Sequence, residues 1–496
     1  MNTNYKFVVN RIKEAYTKQE KFEPTNKYII LYRAIKDCIT NIEIPNNWLL
    51  PSTRVLAEEL KLSRTTVNKA YELLQLEKLI SSKAGSGNRI SHEALVKTDN
   101  KKTVKTTKNL YPTISEKGLS YSKNISLLNR MPNNNLAFRP GLPPIDAFPV
   151  NQWKKLLNAY WRHIKSSNLS YSNSTGLLEL KKSISDYLNI SRNIKCNHQQ
   201  IVIVSGSLQS LYLITNALID KGDTVVLENP VFPNVYSVFK SSQANLIPIA
   251  IDEEGIDLKQ IKVLKTKAKL IHLTPSNQYP LGIKMSLKRR QAILKWASKT
   301  KTLIIENDYE NEIANHLENI PSVFSLDKED RTIYIGTFNR LLNPSIRLGY
   351  MIVPKYLIST IEALQEHSHR FVSPSIQVVM TQFIEKNYLY KHIKNTIEVA
   401  KERLDLFAKE FNLISTKMHV NVEACSSFHV IAHFNSPTNI DEEAQIIYKL
   451  NQQNITVHSL SKCYIGVAQK TGLIFGYSSV RPSIIKQKIK KMIGII

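Results

Sequence analysis

Leu50-Pro51-Ser52-Thr53-Arg54-Val55-Leu56-Ala57-Glu58-Glu59-Leu60-Lys61-Leu62-Ser63-Arg64-Thr65-Thr66-Val67 contains two helix starts separated by a very short turn. Ser52 and Ser63 each stand where a side-chain oxygen satisfies backbone N–H groups left over in a first helical turn. In the second helix Val67, Ala70, Tyr71 and Leu74 recur at helical spacing as a core face, which leaves Arg64, Thr65, Asn68 and Lys69 on the other side. That side offers donors and cations, with no carboxylate in its first turns. A helix presenting such a face from its N-terminus suits a major groove: the Asn68 amide reads a base edge and the cations hold phosphates. The plainer reading is a small helical domain with a solvated polar face.

The adjoining hairpin favours DNA. Leu79-Ile80-Ser81-Ser82-Lys83-Ala84-Gly85-Ser86-Gly87-Asn88-Arg89-Ile90 reads as two short strands around a glycine turn, a wing whose Lys83 and Arg89 reach the backbone or minor groove. From Leu31-Tyr32 through these motifs to Gly85-Ser86-Gly87, the block resembles the winged helix-turn-helix of the GntR family of bacterial regulators. The resemblance implies DNA contacts by Arg54, Arg64, Thr66 and Lys69.

Outward from this block, the 496 residues exceed what one core uses, so two or three domains are expected. Lys and Arg outnumber Asp and Glu by 67 to 41, a net charge of +26 that favours an anionic partner, nucleic acid or membrane, the alternative being no more than a solubilising surface. With 42% hydrophobic and 22% charged residues, the composition is globular and argues against a disordered or fibrous chain. Cys38, Cys196, Cys425 and Cys463 have no metal-ligand spacing and form no disulfide framework, which suits a reduced, intracellular setting. Met1 to Glu20 lacks the apolar core of a signal peptide, and no later stretch offers 18 consecutive apolar residues, so a soluble, cytoplasmic protein without membrane contact is expected. Residues 1–26 read as a tail, 27–92 as the winged domain and 93–133 as a Lys-rich linker without apolar period. Residues 134–496 form the large domain, and no internal repeat is visible.

In that domain the apolar runs Ile201–Val204, Thr224–Leu227, Leu246–Ile251, Leu270–Leu273, Thr302–Ile305 and Thr332–Ile335 alternate with amphipathic segments. The alternation predicts an α/β fold with a mainly parallel sheet covered by helices. Sparser strands at Phe428–Phe434, Ile455–Leu460 and Leu473–Tyr477, then a basic helix at Ile484–Ile493, predict a smaller α+β subdomain. Loops beyond the strands carry Ser205-Gly206-Ser207, Glu228-Asn229-Pro230-Val231-Phe232, Thr274-Pro275-Ser276-Asn277, Glu306-Asn307-Asp308-Tyr309-Glu310 and the Gly336–Tyr350 segment, where open α/β sheets gather ligands. Ser207 opens a helix whose N–H groups suit a phosphate.

In this order and spacing the loops, from Phe138-Arg139-Pro140-Gly141 to the C-terminus, resemble the fold-type I aminotransferase domain fused to GntR regulators, the MocR family. The resemblance implies a pyridoxal-phosphate (PLP) domain working as an effector sensor. Such a site needs a Schiff-base lysine, a carboxylate against the pyridine nitrogen, an aromatic ring over the cofactor and an arginine on the phosphate. By the resemblance Ser207, Phe232, Asn277, Asn307, Tyr309, Arg340 and Arg347 occupy the cofactor positions, and Tyr171 reaches a partner subunit's phosphate site.

Phe232, Tyr309 and Arg347 keep the family's residue types. The Schiff-base position, however, holds Arg340, whose guanidinium has no free amine lone pair to form an aldimine, and no Lys lies between Lys328 and Lys355. The pyridine carboxylate position holds Asn307, an amide that cannot stabilise a pyridinium as an anion does. Ile474 stands on the strand that often brings an arginine for a substrate carboxylate. No catalytic residue is therefore expected, and any B6 vitamer or other anionic ligand is expected to bind non-covalently. Arg340 either binds that anion or pairs with a nearby acid such as Asp308; a further alternative shifts Asp308 into the role of Asn307. His163, His198, His272, His367 and His369 show no zinc spacing, so no metal is expected. The first reading is a dimeric, DNA-binding transcription regulator sensing a small effector without turnover. The alternatives are a regulator or aminotransferase with working PLP chemistry, and a purely structural dimerisation domain.

Overall fold

The computed structural model describes residues 3–20, 26–83, 87–91, 112–128, 137–314, 320–422 and 427–496. The chain divides into two compact units, Met1–Pro112 and Thr113–Ile496.

The first unit holds α1 (Thr3–Glu20), α2 (Lys27–Thr40), α3 (Thr53–Leu60), α4 (Arg64–Leu76) and the hairpin β1 (Ile80–Lys83) with β2 (Gly87–Ile90). The two serines cap as their positions dictate. Ser52 Oγ accepts from Val55 N at 3.3 Å and Ser63 Oγ from Thr66 N at 3.1 Å. Between them Lys61 takes the left-handed conformation that ends α3 and sets the tight turn. Val67, Ala70, Tyr71 and Leu74 are buried, and the Tyr71 hydroxyl donates to the Pro51 carbonyl at 2.7 Å. β1 and β2 pair antiparallel from Ile80 with Ile90 to Lys83 with Gly87.

Residues 3–20 are a helix, which corrects the reading of 1–26 as a tail. Val8, Ile12 and Tyr16 lie one turn apart and are buried in the same core as Leu31, Leu56 and Val67. Beyond the Phe7-Val8-Val9 run, the apolar residues of this helix are spaced among Lys, Asn, Arg and Glu, which leaves the composition polar and still makes a stripe.

The second unit begins inside the stretch read as linker. There α5 (Glu116–Asn124), capped by Ser115 at 3.1 Å from Gly118 N, leads into a 3-10 turn at Ile125–Leu127. It docks on the helices Ser207–Leu218 and Pro233–Ser241. Tyr121 lies 6.1 Å from the Tyr212 ring, Lys117 Nζ donates to Asn216 Oδ1 at 2.7 Å, and Ser237 Oγ donates to the Asn124 carbonyl at 3.1 Å. Residues 93–111 and 129–133 of the expected linker lie outside the described residues.

The main sheet comprises β3 (Ile201–Val204), β4 (Thr224–Asn229), β5 (Asn245–Asp252), β6 (Gly255–Ile256), β7 (Leu270–Leu273), β8 (Leu303–Asn307), β9 (Thr332–Thr337) and β10 (Gly349–Ile352). Its order is β3-β10-β9-β8-β7-β4-β5-β6, parallel from β9 through β5 and antiparallel on both sides of β10. The sheet is therefore mixed. β10 escapes the sequence reading because its four residues continue a ligand-type loop with no break after Arg347. Apolar clusters on the two faces bury the strands under helices. The smaller sheet, β11 (Met418–Val420), β12 (Val430–Phe434), β13 (His458–Ser459) and β14 (Gly472–Phe475), is antiparallel in the order β11-β12-β14-β13. β13 is shorter than the expected Ile455–Leu460, and the last helix runs Pro482–Lys490. Because β4, β7, β8 and β9 run parallel, the loops after them gather at one edge.

Candidate functional site

In the first unit Arg64, Thr65 and Asn68 are exposed on α4 and make no side-chain hydrogen bond among the described residues. Lys69 lies over the Tyr28 ring at 5.6 Å. The other expected DNA residues are partly engaged within the fold. Thr66 Oγ1 lies 2.7 Å from Ser63 Oγ, Arg54 pairs with Glu58 at 3.2 Å, and Arg89 Nη1 donates to the Asn47 carbonyl at 3.0 Å. The Lys83 side chain lies outside the described residues.

At the shared strand edge of the second unit lies a cavity of about 360 Å³. Ser207, Phe232, Asn307, Tyr309, Arg340 and Arg347 all line it. Its anion-binding end follows from the chain. Gly206, at φ 138°, leads β3 into the Ser207–Leu218 helix, and a Cβ there would meet Asn339 Nδ2 at 2.5 Å. Asn339 ties this turn down, donating to the Ser205 carbonyl at 2.9 Å and accepting from Leu348 N at 2.9 Å. Arg347, left-handed at φ 53°, donates to Ser205 Oγ at 3.3 Å. The Arg347 guanidinium, the Ser207 hydroxyl and a helix N-terminus thus meet at one end of the cavity, a phosphate-type site.

The floor is polar and uncharged. Asn307 Nδ2 lies 3.3 Å from His272 Nε2, while Asn307 Oδ1 and His272 Nδ1 are buried without partners among the described residues. Burial pushes His272 down to about 3, so its imidazole is neutral at physiological pH. Phe232 meets Tyr279 edge-on at 4.8 Å between ring centroids. The Tyr309 hydroxyl donates to the Asn277 carbonyl at 3.0 Å. Asn277 is buried beside Tyr309, with Nδ2 donating to Glu310 Oε2 at 3.1 Å and Oδ1 without a partner among the described residues.

Arg340 lies over the Tyr309 ring at 5.4 Å, with Nη1 3.6 Å from Glu310 Oε1. Its acid is therefore Glu310 and not Asp308. The Asp308 carboxylate turns away, buried against Arg192 at 2.8 Å and the Tyr334 hydroxyl at 2.8 Å, so it takes up neither the role of Asn307 nor that of a partner to Arg340. Glu310 also accepts from Ser427 Oγ at 2.5 Å, and Ser427 Oγ lies 2.7 Å from His429 Nδ1. Of Glu228, at the end of β4, Oε2 accepts from Thr274 N at 3.1 Å and Thr274 Oγ1 at 2.6 Å; burial pushes its carboxyl up to about 7.

The cavity fits PLP only in part. The Ser207 and Arg347 end suits the phosphate, but no lysine lines the wall among the described residues, and the floor offers an amide where the cofactor needs a carboxylate. A covalent cofactor does not fit these residues.

Residues 141–475 match the model of aminotransferase class I and II, and residues 27–90 that of bacterial regulatory proteins of the gntR family. The chain belongs to the aminotransferase class I and II family. As in MocR-type regulators, this aminotransferase domain is fused to a GntR helix-turn-helix domain. The chain is 27% identical over 468 residues to the probable rhizopine catabolism regulatory protein MocR of Rhizobium meliloti, covering 93% of this chain and 92% of that one. It is 25% identical over 433 residues to the pyridoxine biosynthesis transcriptional regulator PdxR of Corynebacterium glutamicum, covering 87% of each. The kynurenine aminotransferase of Pyrococcus horikoshii shares the fold of the large domain, with a TM-score of 0.67 and 22% identity over 77% of this chain and 96% of that one. The protein is a transcriptional regulator with an aminotransferase-like domain.

Within this family's site, wall or wall-supporting residues to which the sequence assigns no role include Arg139, His272, Tyr279, Glu310 and His458. Glu310 carries a signal as the acid after Tyr309 in a strand-end loop, and Arg139 as part of the Phe138-Arg139-Pro140-Gly141 segment. Tyr171 is exposed, with Arg370 4.7 Å above its ring. Among the described residues no group of His, Cys, Asp and Glu could hold a metal, and no helix is long and apolar enough to cross a membrane.

Proposed function

We propose that this regulator is a cytoplasmic homodimer that binds double-stranded DNA through α4 and its wing and senses a small anionic ligand held non-covalently, without transamination. One observation carries the sensing reading. Arg340 stands in the cavity wall where a transaminase needs a free amine, and it donates no hydrogen bond among the described residues. A guanidinium with unspent donors beside a phosphate-type end recruits anions and cannot condense with an aldehyde. Leu169 and Tyr171, exposed and close in sequence, support a surface that a second copy covers.

The test has two parts. Titration of the chain's own promoter DNA against random DNA at rising salt should show preference for the promoter and a steep salt dependence; equal binding at every salt concentration sinks the regulatory reading. Borohydride treatment with PLP should leave no lysine modified in the cavity, while PLP or another B6 vitamer raises the melting temperature. A trapped cavity lysine would favour the working-cofactor reading, which the name of the Corynebacterium relative keeps in view.

A further inference from the structure

The helix α1 stands outside residues 27–90, the part that matches the gntR model, yet it packs on the elements of the helix-turn-helix. It lies along α3. Ser52 N, at the cap of α3, donates to the Tyr5 hydroxyl at 3.4 Å, and further along α1 Lys13 Nζ pairs with Glu59, near the other end of α3, at 3.4 Å. The two helices therefore run in the same direction, first turn beside first turn. Phe7 meets the Trp48 ring edge-on at 6.0 Å. The segment that carries Trp48 is bonded in turn to the wing, with Leu50 N donating to the Asn88 carbonyl at 2.8 Å and Ile90 N to the Trp48 carbonyl at 2.9 Å. The start of α1 thus joins the place where β2, the capped start of α3 and, through the Tyr71 hydroxyl on Pro51, α4 all meet.

Lys6, Asn10 and Lys13 follow one another at i, i+4 and i+7 and so share one stripe of α1. Because Lys13 on that stripe reaches α3, Lys6 stands on the α3 side as well, at the end where α3 begins. Its side chain is exposed and makes no ion pair among the described residues, and residues 1–13 contain no acid. An exposed lysine needs no partner; what distinguishes Lys6 is its place. In a helix-turn-helix the second helix enters the major groove while the first crosses the phosphate backbone. A helix aligned with that first helix, start beside start, carries its own first turn to the same backbone. The Tyr5 oxygen accepts from Ser52 N and keeps its proton for donation.

We propose that the first turn of α1 is a third DNA-contacting element, in which the Lys6 ammonium and the Tyr5 hydroxyl hold the phosphate backbone that α3 crosses. The proposal rests on the reading of this unit as a DNA binder through α4 and its wing. Neither group reads a base edge, so the contact adds affinity for any duplex and no discrimination.

Fluorescence anisotropy of the full-length protein on its promoter duplex and on a random duplex, over a salt series, tests this. Lys6→Gln should weaken both duplexes by the same factor, about fivefold or more, and reduce the salt slope by about one. Lys6→Arg should keep both quantities near those of the unmodified protein. Tyr5→Phe should weaken both duplexes about threefold without changing the slope, because the group lost is uncharged. Lys18→Gln removes an exposed lysine about 18 Å further along α1, beyond the screening length of about 10 Å at 0.1 M salt, and should leave affinity and slope in place. Lys6→Gln breaks no contact within the fold, so it decides the matter even where Tyr5→Phe lowers the melting temperature. Unchanged affinity and slope in Lys6→Gln, a loss confined to the promoter duplex, an equal loss from Lys18→Gln, or an equal loss from Lys6→Arg would each overturn the α1 contact and leave the α4 and wing reading standing. Equal binding of the two duplexes by the unmodified protein would sink the regulatory reading alone, since the Lys6 slope is still read on either duplex; binding of neither would overturn both.

Discussion

Asp308 Oδ2 lies 2.8 Å from Arg192 Nη2, with both side chains almost fully withdrawn from solvent. The pair receives further support from Ser276 Oγ, 3.1 Å from Arg192 Nη2, and from the Tyr334 hydroxyl. It fixes the loop after β8 so that Asn307 and Tyr309 face the cavity while the intervening carboxylate faces the core. Asp308→Asn leaves a buried guanidinium uncompensated, and such losses run to about 3–5 kcal/mol. Urea unfolding of the variant should show that reduction; a change below about 1 kcal/mol would mean that the pair does not anchor the loop.

Burial at Glu228 makes stability depend on pH in a definite direction. Its carboxyl is raised from the ordinary 4.5 to about 7 in the fold, so between those values the folded state binds more proton than the unfolded state. This contribution is fully present below about pH 4.5 and is lost as pH rises through about 7, worth roughly 3 kcal/mol at most. Glu228→Gln should remove that slope. Melting temperatures of the two proteins should therefore converge near pH 5 and separate by pH 8, with the variant higher at pH 8.

The face of α4 separates affinity from reading. Asn68→Ala should lower promoter affinity by about 1–3 kcal/mol and flatten discrimination at one base position, because the amide is the side chain suited to a base edge. Arg64→Ala should weaken promoter and random DNA alike and reduce the salt slope by about one. Fluorescence anisotropy over a salt series distinguishes the two patterns, and an Asn68→Ala variant with unchanged discrimination would remove Asn68 from base readout.

How far the fold and the cavity are legible in the sequence depends on the range of each signal. Local signals survive: capping serines at Ser52 and Ser63 act as their positions require, and six strand cores lie within a residue or two of their apolar runs. Signals diluted by composition do not. α1 rests on Val8, Ile12 and Tyr16 amid polar residues, and α5 shows almost no apolar period yet docks through Tyr121 and Lys117. The cavity is legible as a set of strand-end loops, since residue type and loop position are read along the chain. Its pairings are not, because Glu310 with Arg340, or Arg139 beside Gly476, depends on which elements the fold brings side by side.

The α1 stripe predicts its own cost. Ile12 is fully buried in the core of the first unit, and Ile12→Ala removes its side chain from a packed site, which should cost about 2–5 kcal/mol in that unit's stability. Lys18→Ala, on an exposed position of the same helix, should change stability by less than about 0.5 kcal/mol. Hydrogen exchange across α2 and α4 reads the difference, and equal protection in both variants would show that α1 is peripheral to the fold.

Arg340→Lys asks whether the cavity is otherwise a cofactor site. The substitution supplies an amine beside Tyr309, while the phosphate-type end at Ser207 and Arg347 is untouched. With PLP the variant should develop visible absorbance that the unmodified protein lacks, and borohydride should fix the cofactor on the introduced lysine. Asn307→Asp added to it should hold the pyridine nitrogen protonated and shift that absorbance further, since a carboxylate then replaces the amide over neutral His272. Both variants should still lack efficient transamination, because Ile474 brings no arginine for a substrate carboxylate on that strand. Failure of Arg340→Lys to trap any PLP, in a protein whose DNA binding is intact, would show that the phosphate-type end does not hold the cofactor.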